Sequence, residues 1–337
     1  MPERQILPAI KVLNTSSGIV VEYGEKRIAL DPVRKFKADY VFISHAHSDH
    51  LPPSVGDAKV IASEETVRLA TERGLKITNY SDSFKNAELI DTGHILGSRG
   101  FYLDRALLYT GDLAGRARGF MPAPKRVSCE TLIIESTYGR QQYRFPPLAS
   151  VLRSANSVVS AAIEAGKAVA IEGYPLGKSQ VLTYLFQSWS PLYVYGSVAR
   201  YNRIYTSFGV DLPLNVHTMS SADELSTLAR RAGIAIFPTT AIKGEVRERL
   251  AKMNIPILRF TGWAINPASR YANNSTMFPV SDHADYYELI SYAQSCRPDL
   301  VLTCHGYSAD LAASLRRAGI RAKTISERQL SITEYLE

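Results

Sequence analysis

The chain of 337 residues is 45% hydrophobic and 21% charged, with 39 basic against 32 acidic side chains for a formal net charge of +7. Those proportions, with a mean hydropathy of -0.10, fit a globular protein with a substantial core and argue against disorder or membrane embedding. The basic excess suits a polyanionic partner if it gathers around the chemistry.

The first residues, Met1-Pro2-Glu3-Arg4-Gln5, lack the basic start, apolar run and cleavage site of a secretory signal, so a cytoplasmic protein with no membrane partner is expected. Short apolar runs at 18–21, 27–30, 40–43, 59–61, 101–103 and 106–109 read as strands. Between them, 64–73 has helical spacing behind Ser63 as an N-cap. After a strand at 131–135, residues 140–147 turn linker-like, and a boundary is expected there. Beyond it, helices at 149–165, 179–189, near 222–232 and at 243–253 alternate with strands at 168–172, 192–195, 234–237 and 256–260. Such alternation predicts a parallel, doubly wound sheet. Residues 286–296 and 309–318 then read as helices, and 300–304 and 323–325 as strands. The pattern predicts one α/β domain in two parts, 1–140 and 263–337, interrupted by a second α/β domain over 141–262. Cys129, Cys296 and Cys304 form no Cys-x-x-Cys pair and read as buried free thiols.

The densest chemistry is His45-Ala46-His47-Ser48-Asp49-His50, directly after the apolar run at 40–43. Three imidazoles and a carboxylate on one short loop can be aimed at two adjacent points, which makes two metal ions the natural reading. Imidazole and carboxylate are zinc ligands that leave a position open for water. The bland alternative, surface histidines on a turn, fits poorly with that density of ligand types. His94, between Gly93 and Ile95, and Asp112, after Gly111, each follow an apolar run. Either alone would more often be a turn residue. Beside the hexapeptide both become candidate ligands, and the Asp112 carboxylate could bridge two metals.

In these residues the sequence resembles the metallo-β-lactamase superfamily, whose His-x-His-x-Asp-His loop, later His and later Asp are matched in order by His45, His47, Asp49, His50, His94 and Asp112. The resemblance implies an αβ/βα sandwich, with Asp31 at the end of an early strand supporting the site from behind its ligands. Three further stretches narrow it to the β-CASP nuclease branch, which inserts a parallel α/β cap domain. They are Ile134-Glu135-Ser136-Thr137-Tyr138-Gly139, Ser281-Asp282-His283-Ala284-Asp285 and Thr303-Cys304-His305-Gly306. The compact ligase-associated exonucleases and the RNA 3′-end-processing nucleases of that branch look most similar.

Carried over, the resemblance implies two Zn2+ ions, with Mn2+ as the alternative. His45, His47 and His94 would hold one, Asp49, His50 and His305 the other, and Asp112 would bridge them. His283 would be the general acid, oriented by Glu135, with Asp49 joining them in the catalytic set. Without the resemblance, His283 and His305 read equally well as hydrogen-bonded structural residues. The implied activity is that of an exonuclease on single-stranded DNA or RNA, in DNA repair or RNA processing, with proteins of those processes as partners. Rival readings are a metallo-hydrolase of a small ester or thioester and an inactive scaffold.

Within the middle block, Gly177-Lys178-Ser179 at a helix start could form an anion site, with Ser179 as N-cap, although a plain cap beside a solvated lysine reads equally well. Arg200 and Arg203 interleave with Tyr201 as in single-strand binders, or lie on the outer face of a helix that packs its tyrosines inward.

Overall fold

The computed structural model describes residues 9–213, 216–219, 224–265, 271–272, 275–325 and 330–331. In chain order the first elements are β1 (Ile10–Thr15), β2 (Gly18–Tyr23), β3 (Lys26–Leu30), β4 (Tyr40–Phe42), β5 (Lys59–Ile61) and α1 (Glu64–Glu72). Then come β6 (Tyr80–Ser81), β7 (Ala87–Asp91), β8 (Arg99–Leu103), β9 (Leu107–Tyr109) and β10 (Thr131–Glu135). The middle of the chain forms α2 (Leu148–Glu164), β11 (Val169–Gly173), α3 (Lys178–Leu185), β12 (Leu192–Tyr195), α4 (Gly196–Ser207) and β13 (His217–Met219). It continues through α5 (Leu225–Arg231), β14 (Ile234–Pro238), α6 (Gly244–Lys252), β15 (Ile257–Phe260), β16 (Tyr271–Ala272) and β17 (Ser275–Phe278). The last elements are α7 (Tyr286–Cys296), β18 (Leu300–Cys304), α8 (Ser308–Arg317), β19 (Ala322–Thr324) and β20 (Leu330–Ser331).

These fall into two units: Met1–Arg116, Ala123–Gln142 and Ala284–Glu337 form unit 1, and Ala117–Pro122 with Tyr143–His283 form unit 2. Unit 1 holds a sheet of order β20-β1-β2-β3-β4-β5-β6 and a second of order β19-β18-β10-β9-β8-β7. Alternation along the strands explains how they pack. Leu107 and Tyr109, Ile133, and Leu300 and Leu302 turn toward Val21, Ile28, Leu30 and Phe42 of the first sheet. Their neighbours Leu108, Leu132 and Val301 face the opposite way, onto Leu289, Tyr292 and Ala293 of α7 and Leu311 and Leu315 of α8. Strands buried on both faces read as continuous apolar runs for this reason.

Unit 2 is a seven-stranded sheet of order β13-β12-β14-β11-β15-β17-β16, parallel except for the antiparallel β16 edge. Val151, Ala155 and Val159 of α2 and Val198 of α4 cover one face. Leu225 and Leu228 of α5 and Leu250 of α6 cover the other. Tyr271–Ala272 and the residues from Ser275 to His283, grouped by sequence with the C-terminal part, belong with this unit. β17 pairs in parallel with β15 over Ile257↔Ser275 to Phe260↔Phe278 and so extends the sheet. Residues 117–122 also join unit 2, where the Phe120 ring packs edge-on at 5.6 Å from Tyr184 and 5.8 Å from Tyr205. Among the described residues no helix is long and apolar enough to cross a membrane.

Candidate metal centre

Parallel pairing determines where the candidate ligands emerge. β3 and β4 run parallel, so Asp31 and the loop beginning at Ser44 leave the first sheet at one edge. β9, β10 and β18 run parallel in the second sheet, so the segments carrying Asp112, Glu135 and His305 also leave from C-terminal strand ends. Asp31 sits at φ 41°, a left-handed conformation in which a non-glycine residue is held by its surroundings. Its Oδ1 accepts the Ser44 N–H at 2.7 Å, and its Oδ2 accepts the Ser44 hydroxyl and, at 2.9 Å, the Tyr109 hydroxyl. Gly111, at φ 55°, lets the two loops meet, because a Cβ there would lie 2.5 Å from Ser44 Cβ.

The imidazoles converge. His47 Nδ1 lies 3.1 Å from both His45 Nε2 and His94 Nε2. Asp112 Oδ2 lies 3.4 Å from the Nε2 atoms of His45 and His94, while its Oδ1 lies 3.2 Å from His50 Nε2. One ligand atom from each of His45, His47, His94 and Asp112 falls within 4.8 Å of all the others, and Asp31, His45 and His50 make a second such group. Tetrahedral bonds of 2.0–2.1 Å would hold ligand atoms about 3.3–3.4 Å apart, so the first group has the spacing of a zinc ligand set. Asp112 thus turns one oxygen to each group.

Charge and burial act together here. His45, His50, His94, Asp31 and Asp112 are all buried. For His50 burial opposes the charged form, but the carboxylates of Asp112 and Asp31 outweigh it and raise the imidazole well above its ordinary value. Burial likewise works against the Asp31 carboxylate, and neighbouring His50 overcomes it and holds the acid below its usual range. His45, penalised first by burial and then by the charge on His50, is pushed down toward the neutral, metal-binding form. Burial and the Asp31 charge raise the Tyr109 phenol, which stays a hydrogen-bond donor. Ser44 and Tyr109 were not anticipated from sequence. Their only local signals are adjacency to the hexapeptide and a place three residues before Asp112.

The remaining candidates are distributed differently. Asp49 is exposed and belongs to neither group. His305 is also exposed, at φ 58°, its ring centroid 5.7 Å from that of His50. Glu135 is fully buried: Oε1 accepts the Leu113 N–H at 2.8 Å and Oε2 the Thr137 N–H at 3.1 Å, fixing the turn after Asp112. His283 ends unit 2 and donates its N–H to Ser281 Oγ at 2.9 Å. The next residue, Ala284, opens the last part of unit 1 and donates its N–H to Leu113 O at 2.6 Å.

Lys178 and Ser179 do not make the anion site expected of them. Lys178 is only 3% exposed, donates to Val280 O at 2.9 Å and pairs with Asp282 Oδ2 at 3.1 Å. Ser179 lies inside α3 rather than at its cap and donates to Tyr174 O at 2.7 Å. Lys178 is spent on internal bonds because the 280–282 segment runs over the start of α3, and Ser179 because it closes onto the turn that precedes the helix. Arg200 and Arg203 are exposed on α4, which turns Tyr205 inward.

No family profile matches the chain. It is 31% identical over 303 residues to a probable DNA ligase of Opitutus terrae, an alignment covering 85% of this chain and 28% of that protein. To an RNase J-like protein of Methanocaldococcus jannaschii it is 27% identical over 211 residues, half of each chain. To the DNA cross-link repair protein SNM1 of Arabidopsis thaliana it is 22% identical over 298 residues, 77% of this chain and 60% of that one. The chain therefore spans between 28% and 60% of the length of these curated relatives. A crystal structure of a protein of unknown function from Enterococcus faecalis shares the fold, with a TM-score of 0.62 and 13% identity over 97% of this chain and 99% of that one.

Proposed function

We propose that this chain is a metal-dependent nuclease of the metallo-β-lactamase superfamily, β-CASP branch, in which unit 2 is the cap and single-stranded DNA or RNA the substrate. The observation that carries this reading is the Asp112 carboxylate, with one oxygen toward His45 and His94 and the other toward His50. His45, His47, His94 and Asp112 would hold one divalent ion, and His50 and Asp112 a second, with Asp49 and His305 proposed to complete it. Bound zinc or manganese ions supply an activated water and neutralise charge on a phosphodiester.

The chain's own groups do the rest. Asp31 accepts a hydrogen bond from His50 Nδ1 at 2.8 Å, leaving Nε2 as the ligating nitrogen. Glu135 holds the turn after Asp112 through the Leu113 N–H and so keeps the Asp112 carboxylate in place. His283 would give a proton to the leaving alkoxide oxygen. Exposed Tyr174 and Trp263, which follow the C-terminal ends of neighbouring β11 and β15, would stack on unpaired bases.

The names of the relatives support nucleic acid over a small ester, and they support a role in DNA repair or RNA processing, with exonuclease action as the specific expectation. The test is metal analysis of the purified protein with assays on end-labelled single-stranded DNA and RNA and on a thioester. Release of mononucleotides, abolished by a chelator and restored by zinc or manganese, is the expected result. Thioester turnover with no cleavage of either nucleic acid would overturn the proposal.

A further inference from the structure

Two of the three cysteines meet at the end of unit 1 remote from the candidate metal centre. Cys129 lies two residues before β10 and Cys296 is the last residue of α7. The Cys129 N–H donates to Cys296 O at 3.1 Å, a main-chain bond that sets the two residues side by side as a disulfide requires. Their side chains pack in one apolar cluster, close enough for each thiol to shift the ionisation of the other. Cys304 closes the opposite, C-terminal end of β18, with its thiol on Ile134 O at 3.4 Å.

One member of the pair borders a cavity. Cys129 lines a cavity of about 600 Å3 together with Tyr102, Arg105, Glu130 and Arg297. The cavity opens at the N-terminal ends of β10 and β18, whereas the candidate ligands follow C-terminal strand ends. The neighbouring Cys129 lowers the Cys296 thiol below its ordinary value, with Val127, Ser295 and Arg126 adding to it against the effect of burial, and this favours ionisation within the pair.

We propose that Cys129 and Cys296 are a reversible oxidation site that reacts with hydroperoxides and closes into a disulfide. The Cys129 thiol, which borders the cavity, passes its proton to the Cys296 sulfur, and the Cys129 thiolate so formed attacks the peroxide. A sulfur–oxygen bond forms, the oxygen–oxygen bond breaks, and the departing hydroxide takes up a solvent proton to leave as water. The Cys296 sulfur, losing its proton to solvent, then attacks the Cys129 sulfur, forming the disulfide and expelling hydroxide. In sum, two thiols and one hydrogen peroxide give one disulfide and two waters. The bond would join the two places in unit 1 that flank most of unit 2 in sequence, closing a long loop and stabilising the fold.

The experiment uses the full chain, reduced and freed of reductant, then treated with hydrogen peroxide. Thiol titration after denaturation should fall from three to one, and intact mass should drop by two hydrogens. Peptide mapping should join Cys129 to Cys296, and dithiothreitol should reverse all three changes. The unfolding midpoint of the oxidised protein should rise by about 5 °C or more. Cys304→Ala should leave the mass change intact, whereas Cys129→Ser and Cys296→Ser should each abolish it. Three titratable thiols after peroxide, a bond to Cys304, or addition of oxygen without loss of hydrogen would overturn the site. An unchanged midpoint would overturn the stabilising role.

Discussion

Asp31 Oδ2 and His50 Nδ1 lie 2.8 Å apart, and the far nitrogen of the same ring stands 3.2 Å from Asp112 Oδ1. The imidazole is thus held between a carboxylate that orients it and one that would share the proposed metal. We predict that Asp31→Asn folds but binds its second metal equivalent about 10–100-fold more weakly, the usual cost of losing such an orienting partner. Competition titration with a chromophoric chelator measures this. Affinity equal to wild type would show that Asp31 merely fills space behind the site.

Asp112→Ala removes the one carboxylate that faces both ligand groups. Metal content should fall at both positions and phosphodiester hydrolysis by more than about a hundredfold, the scale on which losing a preorganised electrostatic group acts. Inductively coupled plasma analysis and single-turnover kinetics check the two halves separately. Wild-type turnover in this variant is incompatible with a bridging role.

His283→Ala should retain metal and fold while losing about a hundredfold or more on ordinary phosphodiesters. A nitrophenolate leaves without a proton, so on a nitrophenyl phosphodiester the loss should shrink to a few-fold. Equal losses on both substrates would assign His283 to structure or to metal binding.

How much of this was legible follows from which contacts are local in sequence. The hexapeptide at 45–50 carries its ligands on one loop, and Asp31, His94 and Asp112 each sit just past an apolar run, where a strand end can be inferred. Ser44 and Tyr109 escaped notice because their part depends on pairing across the unit, Tyr109 reaching Asp31 from 78 residues away. The parallel sheet of unit 2 was visible in its alternation of strands and helices. β17 was not, because Ser275-Thr276-Met277-Phe278 shows no strong period, and with it went the view that the chain from Ser275 onward still belongs to that sheet. Lys178 was misread for the same reason: nothing near Gly177 in sequence shows that Val280 and Asp282 will cover it.

That burial makes a prediction of its own. Lys178→Met strips Asp282 of its closest cation while leaving Arg118 3.8 Å away, so stability should fall toward the lower end of the roughly 3–5 kcal/mol seen when one partner of a buried pair is removed. Affinity for single strands should stay the same. Burial holds the Lys178 ammonium below its ordinary value, so the unfolded chain keeps this proton to higher pH than the folded one. The resulting penalty is complete below the folded value and disappears as pH approaches about 10.4, the unfolded value. The wild type should therefore gain on Lys178→Met across that alkaline range, as read from urea unfolding at several pH values. A stable variant that binds nucleic acid poorly would return Lys178 to the surface role its sequence suggests.

The stacking role proposed for unit 2 can be tested directly, because the chain has two tryptophans and only one is well placed to report. Trp263 is 44% exposed with its ring edge-on to Tyr143 at 5.6 Å, whereas Trp189 is half-buried and donates its indole N–H to Asn156 Oδ1 at 2.8 Å. Single-stranded oligonucleotide added to the metal-free protein should quench the emission, and Trp263→Phe should remove that response while keeping most of the affinity. Trp263→Ala and Tyr174→Ala should each weaken binding by about 1–3 kcal/mol, the worth of one base stacked on an aromatic ring. Affinity should also fall with salt, by about 0.7 logarithmic units per phosphate contact for each tenfold increase. Duplex of the same length should bind several-fold more weakly, since its bases are already stacked on one another. If Trp263→Ala leaves single-strand affinity untouched while the nuclease remains active, the strand takes another course over unit 2. If neither activity nor affinity is found at low salt, the nucleic-acid reading itself fails.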